Sequence, residues 1–405
     1  VSQGQNKNKG SQALLALGAA ALAIPGIVSK AEAAAPATES SLDYKFSAYR
    51  EADLDRNNVV NGSTTSRYEI DSHLFRYVSP VGENQELNID FAYETMSGAS
   101  PWIVMPQVNT GRPVQLMSGA SIKEERKDIQ ASLKHFHDKQ TVITAVAGFS
   151  DENDYQAFNV GAAVDYEQFE KQRTFSAGFG ISDDHMEPTD GRTMIDRVDT
   201  ADKSSVNMFV GISQIINART VVQGSLSLAF HDGFLSDPYK KFWVVNQSNA
   251  LMDSRPDKRE PIILEGRLRH YVPAAKAALH LDYRYYDDDW DVVSHTFDAS
   301  WYQNLPNDWQ LTPSFRYYSQ TQAYFYAPYY IDARSDGYGS SDYRLSPYGA
   351  ISFRLKLSKD WGKLSTNLEW ESYKASADYS LKEVELESPA LVEFDILTLG
   401  LHWEL

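Results

Sequence analysis

The sequence predicts an all-β fold: a transmembrane antiparallel β-barrel of about sixteen strands, with short periplasmic turns and long extracellular loops. Three observations predict it. Apolar and polar residues alternate with period two almost from end to end. The links between the alternating segments sort by length. The composition joins a polar average, with mean hydropathy −0.44, to 12% aromatic residues and no cysteine.

The chain opens on a targeting pattern. Lys7 and Lys9 supply a positive start, Leu14 to Val28 form an Ala/Leu-rich apolar core, and Ala31-Glu32-Ala33 and Ala33-Ala34-Ala35 offer small-x-small cleavage sites. Residues 1–35 are therefore expected to be a Sec signal peptide, and residues 36–405 the barrel domain. Residue 1 is Val rather than Met, which leaves a fragment or an alternative start codon open.

The strands follow in order. Leu87, Ile89, Phe91 and Tyr93 alternate with Asn88, Asp90 and Ala92. Phe158, Val160, Ala162 and Val164 alternate with Asn159, Gly161 and Ala163. The rhythm recurs at Phe175–Ile181, at Val222–Phe230, at Ala277–Tyr285 and at Leu397–Leu405. The expected spans are 42–53, 65–79, 85–97, 122–138, 140–151, 154–168, 172–183, 204–216, 219–232, 259–272, 275–287, 290–304, 307–322, 341–357, 362–375 and 391–405. Short turns lie near Pro80-Val81-Gly82, Asp138-Lys139, Glu170-Lys171, Ala218-Arg219, Pro273-Ala274, Pro306-Asn307 and Lys359-Asp360. Between them come longer links near 97–121, 183–204, 232–259, 321–342 and 375–391, and shorter ones near 53–65, 150–154 and 287–290. A soluble sandwich or propeller has no reason to sort its links by side, whereas a barrel crossing a membrane does. In lipid every backbone N–H and C=O must be paired, so the sheet must close. Apolar positions are then expected to face lipid and polar ones the lumen, with Tyr44, Tyr93, Tyr166, Tyr271, Trp301, Trp309, Tyr317, Trp370 and Trp403 in interfacial girdles.

Composition excludes several functions. The formal charge is 38 − 55 = −17, which argues against a nucleic-acid partner. The absence of cysteine removes disulfides, thiolate metal sites, Cys nucleophiles and covalent c-type haem. No G-x-S-x-G, H-E-x-x-H or P-loop motif occurs, so no catalytic residue is assigned and an enzyme is the least favoured class.

Five stretches resemble a Gram-negative outer-membrane family defined as domain of unknown function 3570: Ser97–Trp102, Asp232–Lys240, Asp282–Trp290, Pro313–Gln320 and Ser341–Ser346. The resemblance covers essentially the whole mature chain. It implies an exported outer-membrane barrel whose partners are lipid, lipopolysaccharide and the barrel-insertion machinery, together with periplasmic thioredoxin-like or flavinylated proteins. It carries over no catalytic residue and no cofactor. Such barrels end in an aromatic residue read by the insertion machinery, whereas this chain ends Trp403-Glu404-Leu405, which implies less efficient insertion.

Charged residues on the polar faces of the later strands are the lumen candidates: Arg267, Arg269, Asp282, Arg284, Arg316, Arg354, Lys356, Glu369 and Glu371. Facing basic and acidic ladders would make a selective constriction; bracing salt bridges are the plainer alternative. Asp237, Pro238 and Tyr239 open a long loop, and Tyr324–Tyr330 lies in another; these segments are expected either to stack on sugars, to fold inward as a plug, or to pack on each other. Asp287–Asp289, Asp332, Asp336 and Asp342 are expected in solvated loops. Asp53-x-Asp55-x-Asn57 lacks the Glu that a calcium loop needs and reads as a hairpin tip. His135 and His137 share a face without a visible third ligand, so no metal is assigned. The reading is a channel or translocation wall for a polar solute. The alternatives are a non-conducting barrel that scaffolds a periplasmic redox or maturation system, and an outer-membrane enzyme.

Overall fold

The computed structural model describes residues 36–118, 122–168, 172–189, 191 and 196–405. The expected signal peptide, 1–35, and the expected turn at Glu170-Lys171 lie outside the described residues.

Alternation becomes a wall. The main sheet contains 17 paired segments, one of them the two-residue Lys258–Arg259, which leaves sixteen wall strands (17 − 1) among the described residues. They are β1 (Ser41–Glu51), β2 (Glu69–Val81), β3 (Gln85–Gly98), β4 (Ile122–Phe136), β5 (Thr141–Glu152), β6 (Tyr155–Gln168), β7 (Arg173–Met186) and β8 (Ala201–Asn217). The second half comprises β9 (Thr220–Gly233), β10 (Ile262–Val272), β11 (Ala277–Asp287), β12 (Val293–Leu305), β13 (Trp309–Gln320), β14 (Tyr348–Asp360), β15 (Leu364–Ser376) and β16 (Glu393–Glu404). Each pairs antiparallel with its sequence neighbour, and β16 returns to β1 from Ser41↔Glu404 to Glu51↔Phe394, which closes the cylinder. Closure leaves no unpaired wall edge, the condition lipid imposes.

The outward face carries the apolar members. Phe158, Phe179, Val210, Leu368 and Leu397 are each about half exposed although large and apolar, and residues of the same parity surround the cylinder. Such a belt would drive aggregation in water and is stable against acyl chains. Tyr271 departs from the girdle expectation. Its register puts it on the same face as Arg267 and Arg269, at the turn end of the lumen, because strand parity and not residue type decides the side.

The links obey the expected sorting. Both wall termini and the turns between β2 and β3, β4 and β5, β8 and β9, β10 and β11, β12 and β13, and β14 and β15 lie at one end, here the turn end. The long links lie at the other, the loop end. Two spans begin four or more residues later than the alternation suggested. β2 starts at Glu69 rather than 65, and β14 at Tyr348 rather than 341, because 65–68 and 341–347 bend inward over the mouth. At Asp55 the link carries a one-turn 3-10 helix, Arg56–Asn58, whose Asn57 N–H donates to the Asp55 carboxylate at 2.8 Å.

Candidate functional site

One arc of the lumen wall is a lattice of opposite charges. Antiparallel register sets Glu265 opposite Arg284 and Arg267 opposite Asp282. It likewise sets Asp298 opposite Arg316, Arg354 opposite Glu371, and Lys356 opposite Glu369. Arg269 grips both oxygens of Asp282. Arg267 donates to Glu265 at 3.0 Å and Arg316 to Asp298 at 2.8 Å. Arg284 and Arg354 stand farther from their carboxylates, each at 3.7 Å, and Ser352 donates to Glu371 at 2.9 Å. All eight lumen candidates of the sequence reading, with Lys356, share the inward face. Glu369 lines a cavity of about 400 Å³ near the β16–β1 closure.

Across the lumen the wall changes character. At mid-wall the inward positions of β6 to β8 are mostly small, among them Asn159, Gly161, Ala163, Ser176, Gly178, Gly180, Ser182, Ser205, Asn207 and Gly211, while charged inward residues lie toward the strand ends, where Asp165 accepts from Ser176 and Lys203 pairs with Asp184 at 2.7 Å. Phe209 is the large exception, and it fits because a Cβ on Gly178 would lie 2.6 Å from its ring. At mid-wall the lumen therefore presents a charged arc and a small neutral arc.

A second charged group was hidden in the sequence. Arg126 on β4 donates to Glu94 at 3.0 Å, to Ser150 at 3.0 Å and to Asp128 at 3.3 Å. Arg76 pairs with Asp90 at 2.6 Å and Lys134 with Glu86 at 2.8 Å. Lys123, Glu125 and Lys127 interleave with these inward residues, so both faces at the start of β4 are charged and no amphipathic contrast marks the lumen side. His135 and His137 have ring centroids 6.0 Å apart, and His135 lies on the outward parity of β4. Among the described residues no group of three His, Asp or Glu is placed to hold a metal ion.

The loop end is spanned by a cap. The link from β3 to β4 and the link from β9 to β10 each form a hairpin. The strands Lys241–Val244 and Pro101–Pro106 join the two hairpins into a four-stranded sheet. The link from β13 to β14 is sewn to it by bridges Val244↔Tyr330 and Ser254↔Gly339. Trp290, Val292, Ala323, Phe325, Tyr326 and Leu345 pack into an apolar pin beneath these loops.

The centre of the cap is a knot of charges. Asp342 is fully buried and accepts from Arg344 at 2.6 Å, from Arg255 at 3.0 Å and from Lys240 at 3.2 Å. Arg344 also reaches Asp237 at 3.1 Å, and Arg255 reaches Asp253 at 2.7 Å. Burial alone would push the Asp342 carboxyl up, but the three cations outweigh it and hold it well below the usual carboxylate range. Burial does win at Asp253, whose carboxyl is raised, and at Lys240, whose ammonium is lowered.

The three loop candidates take distinct places here. Asp237 caps the Tyr239 N–H at 2.9 Å, Pro238 lies between them, and the Tyr239 hydroxyl donates to Asp154 in the β5–β6 link. Tyr324–Tyr330 joins the same cap, so the two aromatic loops pack on each other. Asp342 and Asp288 correct the expectation of solvated loop acids. Asp288 is buried and accepts the Trp290 N–H at 3.0 Å and the Arg259 guanidinium at 2.6 Å. A buried carboxylate is retained where cations and N–H groups replace its water, and the sequence order of those partners is too scattered to show it.

The cap touches the wall at three separated arcs. Arg67, held by Glu51 at the end of β1, lies over the Tyr343 ring at 5.6 Å. Tyr239 reaches Asp154 beside β5. Gln320, the last residue of β13, donates to the carbonyls of Arg344 at 3.0 Å and Ser346 at 2.6 Å. A segment bound to strands 1, 5 and 13 of a closed ring must cross its mouth.

A family described as protein of unknown function (DUF3570) matches residues 14–389. The chain belongs to the DUF3570 family. Two of its motif stretches, 232–240 and 341–346, meet in the knot through Asp237, Lys240, Asp342 and Arg344. Among solved structures, a bacterial polysaccharide outer-membrane secretin is similar over 91% of this chain and 98% of its own, at 11% identity and TM-score 0.46. A BenF-like porin from Pseudomonas fluorescens Pf-5 covers the same shares at 8% identity and TM-score 0.45. OccK2 (OpdF) from Pseudomonas aeruginosa, in complex with glucuronate, does so at 9% and 0.42. No curated protein matches the sequence.

Proposed function

We propose that this DUF3570 protein is an outer-membrane channel for polar solutes whose loop-end mouth is held shut at rest by its own cap. The observation that carries the reading is the combination of a charged, solvent-accessible lumen arc with loops that bind three separated arcs of the wall. A lumen lined by opposite charges favours dipolar and hydrogen-bonding solutes over apolar ones. On this reading residues 1–35 direct export, the insertion machinery places the barrel, the turn end faces the periplasm, and the loop end faces lipopolysaccharide.

The closed cap also favours a second reading: a non-conducting barrel that presents its turn end to periplasmic thioredoxin-like or flavinylated proteins. Planar-bilayer recording separates the two. The channel reading expects rare, brief conductance steps from the wild type and frequent ones from Asp342→Asn, which unties the knot. Silence from both, with the barrel correctly folded, rejects the channel, and a stoichiometric periplasmic partner in a membrane pull-down then supports the scaffold.

A further inference from the structure

Beneath the cap, the charged arc of the lumen encloses a cavity of about 490 Å³. That volume lies inside the range of about 300–1,000 Å³ typical of small-molecule sites. Its charged lining is balanced: Glu265, Asp282 and Asp298 face Arg267, Arg284 and Arg316. Each carboxylate already has a guanidinium partner on its own or a neighbouring strand. An ionic ligand would meet equal numbers of like and unlike charges and would lose its hydration without a net attractive field. A zwitterion could gain only by breaking pairs that are already formed.

A polyol has no such conflict. An ionised carboxylate has about four lone-pair sites and a guanidinium five N–H donors, so a pair still accepts O–H groups on one side and donates N–H groups on the other. Vicinal hydroxyls can use both at once. Arg284 and Arg316 remain 39% and 44% exposed within the lumen, so their donors are accessible. The upper wall of the cavity adds ring faces and hydroxyls. Tyr318 and Tyr348 have centroids 5.6 Å apart, and Tyr373 is held in place by stacking on Phe394 at 4.5 Å. Aromatic rings offer C–H faces of a sugar an apolar contact while their hydroxyls serve its O–H groups.

We infer that this cavity binds a neutral polyhydroxylated solute of mono- or disaccharide size. The inference deepens the channel reading and rests on it for its biological sense, but binding itself can be measured without transport. The probes are sucrose and trehalose, with glucuronate as the anionic and lysine as the cationic control, titrated calorimetrically into the detergent-solubilised barrel. Both wild type and Asp342→Asn are used, so that a shut mouth cannot hide the site. At least one neutral disaccharide should bind, glucuronate and lysine should bind at least tenfold more weakly, and Tyr348→Ala and the charge-neutral pair Asp298→Asn/Arg316→Gln should each weaken disaccharide binding about tenfold, or about 1.4 kcal/mol. Should Tyr348→Ala lose its β-type circular dichroism, Tyr348→Phe, which removes only the hydroxyl, takes its place. The inference is overturned if neither disaccharide binds in either background, if a charged probe binds as well, or if the double variant binds unchanged. Binding without bilayer conductance would sink the channel reading and leave the site standing; conductance without binding would sink the site alone.

Discussion

Three cations converge on Asp342, and two of them are almost wholly out of water. Lys240 and Arg255 have at most a tenth of their side chains exposed, and Asp342 has none. Removing the one shared anion leaves the buried Lys240 without its carboxylate partner and reduces Arg255 and Arg344 to one carboxylate each, Asp253 and Asp237. Asp342→Asn should therefore destabilise the cap by about 3–5 kcal/mol, the usual cost of orphaning a buried partner. Limited trypsin digestion checks it: cleavage within 321–347 should speed up strongly while the wall strands stay protected. The pH dependence follows from the same carboxylate. Its folded value lies below its unfolded value of about 3.9, so its stabilising contribution is complete above about pH 4 and is lost only as pH falls through the lower folded value. Asp253 works in the opposite sense: its raised value means that mild acid relieves rather than strains the cap. Proteolysis of the cap should thus stay level from pH 8 to about pH 5 and rise only in stronger acid; a rise near pH 6 would contradict the assignment. Asp237, Pro238 and Tyr239 were legible as a loop motif because turn chemistry is local. Asp342 was not legible as a knot because its partners stand about 90–100 positions away, at 240 and 255.

Period two made every wall strand readable, since side-chain parity on a strand is fixed by backbone geometry. It found β4 but could not mark its lumen side where that contrast vanishes, and it ran on past the wall where polar residues continue an alternating pattern, as at 341–347. Parity also predicts unequal tolerance of charge at adjacent positions. Phe353 faces outward and Ser352 inward on β14. Phe353→Arg should cost about 2–4 kcal/mol in folding into lipid, as a cation near the bilayer midplane does, whereas Ser352→Arg, beside Glu371, should cost much less. Urea-dependent folding into liposomes measures the difference. Gly98 makes a separate point about the join between wall and loop. It ends β3 at φ +130°, and a Cβ there would collide with the Arg67 carbonyl. Gly98→Ala should therefore lower stability by about 1–3 kcal/mol and shift the thermal unfolding midpoint down in circular dichroism.

At the scale of the molecule, sequence and structure agree on the cylinder, whereas at its mouth the sequence left alternatives open and the loops pack on each other. The cylinder was legible because lipid demands closure and alternation everywhere, a constraint that every strand repeats. The cap was not, because inward folding depends on contacts among three links that no periodicity records. The account as a whole requires a greasy outside and a wet inside, set residue by residue. The chain has no native cysteine, which makes that requirement directly measurable. Single cysteines placed at consecutive positions 350 to 356 on β14, in protein reconstituted into liposomes, can be titrated with a membrane-impermeant maleimide. Labelling is predicted at 354 and 356, protection at the lipid-facing 351, 353 and 355, and no labelling at 350 and 352, which face inward but are buried. Uniform labelling along the strand, or protection with the opposite parity, would contradict the account.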